Sequence, residues 1–181
     1  MRIIGGKARG TKLSSIESLS TRPTLDRVKE SLFNIIQNNL RDAVVLDLFA
    51  GSGQLGIEAL SRGADKAYLC DINRDAVKMI KQNLEKTKLK DKAVVINEDY
   101  KKALRTLNTN EKFDIIFIDP PYDYKNISDI VFMINKNNLL NEGGILVLEF
   151  RYDNLDIDNE EFTLRKAKKY GDKYVYIYVK K

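Results

Sequence analysis

The residues best suited to chemistry in this chain are four in a row, Asp119-Pro120-Pro121-Tyr122, directly after the apolar run Phe113–Ile118. Two consecutive prolines fix φ and carry no N–H, so the Pro120 carbonyl can point outward with no local amide competing for it. A carboxylate beside a carbonyl makes two acceptors, which match an exocyclic amino group with its two hydrogens. Tyr122 adds a flat face on which a base can stack. The set suits chemistry on the NH2 group of a nucleobase. Asp119 also has an ordinary reading as a turn residue after a strand, but the Pro-Pro-Tyr that follows favours the chemical one.

Something must place those groups, and the hydrophobic pattern says what. From Val44 onward, apolar strands alternate with helical patterns: Val44–Leu48, Lys66–Cys70, Ala93–Ile96, Phe113–Ile118 and Ile145–Phe150 read as strands. Helices fall between them, with Asn73 capping the one that carries Ala76, Val77, Ile80 and Leu84 on one face. Crossovers of this length imply a mostly parallel sheet with helices on both faces. The tail breaks the rhythm. Residues 161–165 and 173–179, joined at Tyr170-Gly171-Asp172, should pair as an antiparallel hairpin and complete seven strands. The alternating Tyr174, Tyr176 and Tyr178 are expected to form one face of that sheet. Residues 1–23 read as a basic hairpin or extended arm with turns at Gly5-Gly6 and Gly10, followed by a helix that Thr24 would cap. No linker or repeat interrupts the chain, so one domain over residues 1–181 is expected.

A second constellation sits at the first strand–helix junction: Asp47-Leu48-Phe49-Ala50-Gly51-Ser52-Gly53-Gln54-Leu55-Gly56. Its glycines permit a tight turn and close approach of a ligand at the positive end of the next helix. Taken alone, the pattern fits a dinucleotide, with Asp71 at the end of the second strand accepting from ribose hydroxyls. Asp47 disfavours a pyrophosphate and favours a cation, and no residue suggests hydride chemistry. S-adenosyl-L-methionine satisfies both constraints: its sulfonium and ammonium near Asp47, its ribose on Asp71. Asp99, just past the third strand, is placed for the adenine amino group or, equally simply, for the start of a helix.

Composition narrows the chemistry further. The chain has 181 residues, no histidine and one cysteine, Cys70, which removes the usual imidazole base, the serine and cysteine triads, a disulfide framework and a plausible zinc site. Cys70 itself reads as a small buried hydrophobe. With neither a basic-then-apolar leader nor an apolar run long enough to span a bilayer, the expectation is a cytoplasmic protein, by default a monomer. The net charge is +5, and the first 30 residues, with seven Lys or Arg against three acids, carry +4 of it. A basic segment on a near-neutral body is a common footprint of polyanion binding, and a solvated lysine-rich surface is its alternative.

In this order, the strand, the Asp47–Gly56 turn, Asp71, Asp99 and Asp119–Tyr122 resemble the class I S-adenosylmethionine-dependent methyltransferases that modify exocyclic amines, a Rossmann-like α/β fold. Residues 2–10, Arg22-Pro23-Thr24 and Asp26-Arg27-Val28-Lys29-Glu30 are similar to the bacterial 16S ribosomal RNA guanine-N2 methyltransferases of the RsmD type. The resemblance implies a cofactor held by Asp47, Phe49, Gly51, Gly53, Asp71, Ile72 and Asp99. It implies catalysis by Asp119, Pro120 and Tyr122, and RNA contacts from Lys7, Arg9, Arg22, Arg27, Pro121 and Tyr122. The partner would be 16S rRNA, a small ribosomal subunit or an assembly intermediate, with no metal required. Three other readings stay open: a DNA adenine-N6 methyltransferase, a dinucleotide-dependent oxidoreductase and a non-catalytic RNA-binding protein.

Overall fold

The computed structural model describes residues 1–15, 22–107, 111–121, 124, 127–151, 157 and 161–181, with backbone only at 22–25. Its elements run α1 (Arg22–Ile35), β1 (Val44–Asp47), α2 (Gln54–Ser61), β2 (Lys66–Cys70), α3 (Arg74–Thr87), β3 (Ala93–Ile96), α4 (Tyr100–Thr106), β4 (Phe113–Ile118), α5 (Ile127–Lys136), β5 (Leu140–Phe150), β6 (Phe162–Tyr170) and β7 (Lys173–Lys180). The strands form a seven-stranded sheet in the order β3-β2-β1-β4-β5-β7-β6. β3 through β5 are parallel, and β7 joins β5 and β6 antiparallel, as the alternation and the hairpin signal predict.

Alternation along each strand assigns the two faces of the sheet. Val45, Ile115, Val147, Val175 and Ile177 share one core with Leu32 and Phe33 of α1, Ile36 just beyond it, Ile57 of α2 and Ile80 of α3. Leu46, Ile116, Leu148, Tyr176 and Tyr178 share the other with Leu104 of α4 and Ile130 and Ile134 of α5. The tyrosine stripe is therefore a sheet face, its rings stacked 6.1 and 6.4 Å apart. Between β1 and β4 the strand order reverses direction, and a crevice must open at the carboxyl ends of those two strands. Both sequence constellations end there: Asp47 closes β1, and Asp119 follows β4.

Two local expectations are corrected. α1 begins at Arg22, so Thr24 lies inside its first turn; Pro23 is tolerated there because the first helical N–H groups have no intrahelical partner. β6 runs nine residues to Tyr170 rather than stopping near residue 165, because a sheet edge accepts the lysines that read as loop. Asn73 does cap α3, its Oδ1 accepting from the amides of Asp75 (2.8 Å) and Ala76 (3.4 Å). No helix among the described residues is long and apolar enough to cross a membrane.

The basic N-terminal segment is not a free arm. It folds back on itself, with Ile3 N–H donating to Thr11 O and Leu13 N–H to Met1 O, and buries Ile3, Ala8 and Leu13. Its turn is fastened to α2: the Ile4 and Gly5 amides donate to the Glu58 carboxylate at 2.9 and 2.8 Å, and the Ala8 amide to Ser61 Oγ at 2.9 Å. Glu58 is fully buried and also meets Lys29, 4% exposed, at 3.2 Å and Arg62 at 2.7 Å. Such a carboxylate tolerates burial because every partner is a cation or a backbone donor.

Candidate active site

A cavity of about 520 Å³ lies at the predicted crevice. The glycine turn forms one wall through Phe49, Gly51 and Ser52. Asp71, Ile72, Glu98 and Asp99 form the rim above β2 and β3, and Asp119, Pro120 and Pro121 form the opposite wall. The docked N-terminal segment contributes Met1 and Ser15.

Each glycine of the turn answers a different demand. Gly51 has φ +55°, and a side chain there would project into open space, the space a ligand would fill. Its amide donates to Asp71 Oδ2 at 2.8 Å. Gly53, φ +80°, caps α2 and faces inward, where a Cβ would come within 3.1 Å of both Ile57 and Leu69. At Gly56 a Cβ would lie 2.8 Å from Leu69, so this glycine sets the close approach of α2 to β2.

Asp47 sits beneath the turn. It is 1% exposed, its Oδ2 accepts from the Gly56 amide at 2.9 Å, and burial pushes its carboxyl up to about 7, with the Gly56 hydrogen bond opposing and Asp71 adding to the rise. Neither Asp47 nor Gly53 belongs to the cavity wall. Asp71 does; its two oxygens already accept from the Gly51 and Asn73 amides at 2.8 Å each, which fixes the carboxylate while leaving lone pairs for a ligand. Ile72 is 68% exposed on the rim. Asp99 starts the helix as expected, its Oδ1 capping α4 through the Lys101 amide at 2.9 Å, and it also lines the cavity.

On the opposite wall Pro120 is buried and Asp119 partly so, its side chain 28% exposed. Burial, then the Glu149 carboxylate, push the Asp119 carboxyl above the ordinary carboxylate range, and the Lys173 ammonium pulls it back. Tyr122 lies outside the described residues, as does the Arg22 side chain. Lys7, Arg9 and Arg27 are exposed, away from the cavity wall; Arg9 and Arg27 share a shallow groove beside Arg2 and Asp26.

Some cavity residues had no sequence signal of their own. Tyr100 and Tyr124 join Phe49 in an aromatic cluster with ring centroids 5.5 to 6.0 Å apart, and the Tyr124 hydroxyl bonds that of Tyr100. Tyr100 reads in sequence only as an apolar position of α4. Lys173, at the start of β7, is visible at the site only once β7 is known to lie against β5.

Among the described residues the lining carries four carboxylates, Asp71, Glu98, Asp99 and Asp119, against one basic side chain, Lys173. This suits a cationic ligand bearing hydroxyls and disfavours a pyrophosphate. A pyrophosphate would also want the turn amides, and Gly51 and Gly53 have spent theirs on Asp71 and on the Ala50 carbonyl.

The chain is similar to known proteins in both sequence and fold. The ribosomal RNA small subunit methyltransferase D of Haemophilus influenzae is 37% identical over 172 residues, covering 94% of this chain and 89% of that one. Its namesake from Escherichia coli K12 is 37% identical over 154 residues, 85% of this chain and 76% of its own. The solved structure of Escherichia coli yhhF, described as a candidate methyltransferase, superposes with a TM-score of 0.86 at 32% identity, covering 100% of this chain and 98% of that one. The family model described as conserved hypothetical protein 95 matches residues 1–179, and the chain belongs to that family, which is the family of the ribosomal RNA small subunit methyltransferase D proteins.

Proposed function

We propose that this protein transfers a methyl group from S-adenosyl-L-methionine to the exocyclic N2 amine of a guanine in small-subunit (16S) rRNA, in the cytoplasm and as a monomer. The observation that carries the reading is one cavity, at the point where strand order reverses, that holds both the fixed glycine turn with its acidic rim and the Asp119-Pro120 pair. When bound, the cofactor supplies a methyl group already activated by a positive sulfur, so the protein's task is positioning and charge.

The lone pair of the guanine amine is delocalised into the ring and is a poor nucleophile. The Asp119 carboxylate and the Pro120 carbonyl accept its two N–H groups, draw the lone pair onto nitrogen and hold it in line; the proton that the nitrogen sheds once the methyl has left sulfur passes to Asp119 or to water. Tyr122 follows in the motif as the ring on which the target base stacks once it leaves its neighbours. Asp71 and Asp99 would accept from hydroxyl and amino groups of the cofactor, and Phe49 and Ile72 would give its base apolar walls. Asp47, held on the Gly56 amide, keeps the turn in shape from below.

The substrate's phosphates meet exposed cations at both ends of the chain. Lys7, Arg9 and Arg27 serve at one, with Arg22 by its place in the N-terminal pattern. At the other, residues 161–181 hold seven Lys or Arg against two acids. Seven of the nine residues of β6 are exposed, and the β6–β7 turn reaches the cavity at Lys173.

The test is methyl transfer from labelled cofactor to unmodified small subunits, naked rRNA and plasmid DNA in parallel, with nucleosides identified after digestion. N2-methylguanosine in a ribosomal sample, reduced at least about 100-fold by Asp119→Asn, is the expected result. N6-methyladenine in DNA would replace the reading. Undiminished transfer by Asp119→Asn would remove Asp119 from the chemistry.

A further inference from the structure

Four charged side chains converge where β1, β4 and β5 end and β7 begins. Asp47, Asp119 and Glu149 continue the α1-side face of their strands. Lys173 does so on β7, because it lies two residues from Val175, which pairs with Glu149 across the ladder. The Lys173 ammonium donates to Glu149 Oε1 and stands 3.9 Å from Asp119 Oδ1. Glu149 stays behind the cavity wall and Lys173 is part of it. Their side chains are 14% and 22% exposed, so solvent screens this cluster weakly.

We propose that Lys173, anchored by Glu149, is a positioning residue that favours the ionised, acceptor-only form of Asp119, the form that meets an N–H of the substrate amine. The inference rests on the reading that Asp119 receives that amine. A protonated carboxyl keeps one acceptor oxygen but turns the other into a donor and loses the charge that strengthens the bond to an N–H group. Among the described residues the charged groups facing Asp119 are Glu149 from β5 and Asp47 from β1, which favour its protonation together with burial, and Lys173 from β7, which opposes it. Lys173 is thus the cation that counters them. Glu149 does two things at once: it fixes the ammonium in place, and its own charge repels Asp119.

That double role gives the test its signs. Asp119 can be followed in the cofactor-free full-length protein by its 13C side-chain carboxyl resonance, assigned by its loss in Asp119→Asn. In Lys173→Met the midpoint of its titration is expected to rise by about one pH unit, the low end for removal of a cation at this distance. Glu149→Gln, which removes repulsion and keeps the ammonium, should lower it. The double variant should return the midpoint toward the wild-type value, and Lys173→Arg should leave it nearly unchanged. The acid limb of methyl transfer should move the same way in each variant, which a merely structural role would not produce.

An Asp119 midpoint unmoved by Lys173→Met overturns the proposal. If that variant does not fold, an unmoved or raised midpoint in Glu149→Gln overturns it instead. The two readings fail separately. Full activity of Asp119→Asn removes Asp119 from the chemistry whatever the midpoints do. An inactive Asp119→Asn with unmoved midpoints removes only Lys173.

Discussion

The two ends of the chain are both basic, and the fold uses them in opposite ways. At the N-terminus Lys29 is buried on Glu58, Arg2 is paired with Asp26 at 3.2 Å, and the backbone between them is fastened to α2. In the C-terminal hairpin β6 forms a sheet edge with its cations in solvent, and the cation nearest the cavity faces the Asp119 carboxylate. One end spends charge on holding itself together, and the other keeps charge available. The local count of lysines and arginines does not separate these uses. What separates them is the presence of a buried partner: Glu58 at the centre of α2 gives the first segment somewhere to go, whereas β6 has β7 on one side and, among the described residues, no strand on the other.

Removing Glu58 should have the largest effect. Glu58→Ala leaves Lys29 buried without its counter-ion and two loop amides without acceptors, a loss of about 3 to 5 kcal/mol. Burial already draws the Lys29 ammonium below its ordinary value, with Glu58 pulling it back, so the orphaned amine should shed its proton more readily. The midpoint of urea unfolding measures the stability loss. Met1 and Ser15 reach the cavity only while the segment is docked, so calorimetry should also show weaker cofactor binding. Unchanged stability would mean that the N-terminus is the free basic arm its composition suggests.

Asp47 offers a smaller effect on the same helix and sharpens the contrast, since it is as buried as Glu58 but has a backbone amide in place of cations. Its folded-state value, raised to about 7, lies above the ordinary 3.8, so the folded protein holds a proton that the unfolded chain has released between those two pH values. Stability from this group is therefore fully present below about pH 4 and is lost as pH rises through 7. Asp47→Asn keeps an acceptor for Gly56 and cannot ionise. Relative to it, the wild type should lose on the order of a few kcal/mol between pH 4 and 8, at roughly 1.4 kcal/mol for each tenfold difference in proton affinity between the folded and unfolded chain. Parallel stability curves for the two proteins would contradict the assignment.

Much of this was legible in the sequence because it is local. The strand–helix alternation, the Asn73 cap, the glycine turn and the Asp119-Pro120 pair each depend on residues within a few positions of one another. The parts that were not legible depend on pairing across the chain. Glu58 looks like one polar residue in a short helix until the segment beginning at Met1 folds onto it. Lys173 looks like a strand-end lysine until β7 inserts between β5 and β6 and sets it diagonally opposite Glu149. The glycine pattern also invited a dinucleotide, and what argues against one is a contact twenty residues long in sequence, the Gly51 amide on Asp71. The N-terminal charge was visible, but its burial could not be read from charge alone.

The smallest expected effect bears on the exposed end. Lys166, Lys168 and Lys169 lie on β6, and Lys168 and Lys169 sit over the rings of Tyr170 and Tyr174 at 4.9 and 5.1 Å, which orients them along the edge. Replacing all three with alanine removes solvated charge and no core contact, so stability should change by less than about 0.5 kcal/mol per site. If rRNA phosphates lie along this edge, affinity at fixed salt should fall, and the slope of log K against log salt should flatten by about 0.7 to 0.9 per lost contact. Lys7→Ala/Arg9→Ala should flatten it less, because the segment that carries those two is committed to α2 and presents fewer cations. Equal slopes for wild type and the β6 variant would leave the edge lysines to guard an open strand against pairing with other chains, and would assign RNA binding to the N-terminal turn.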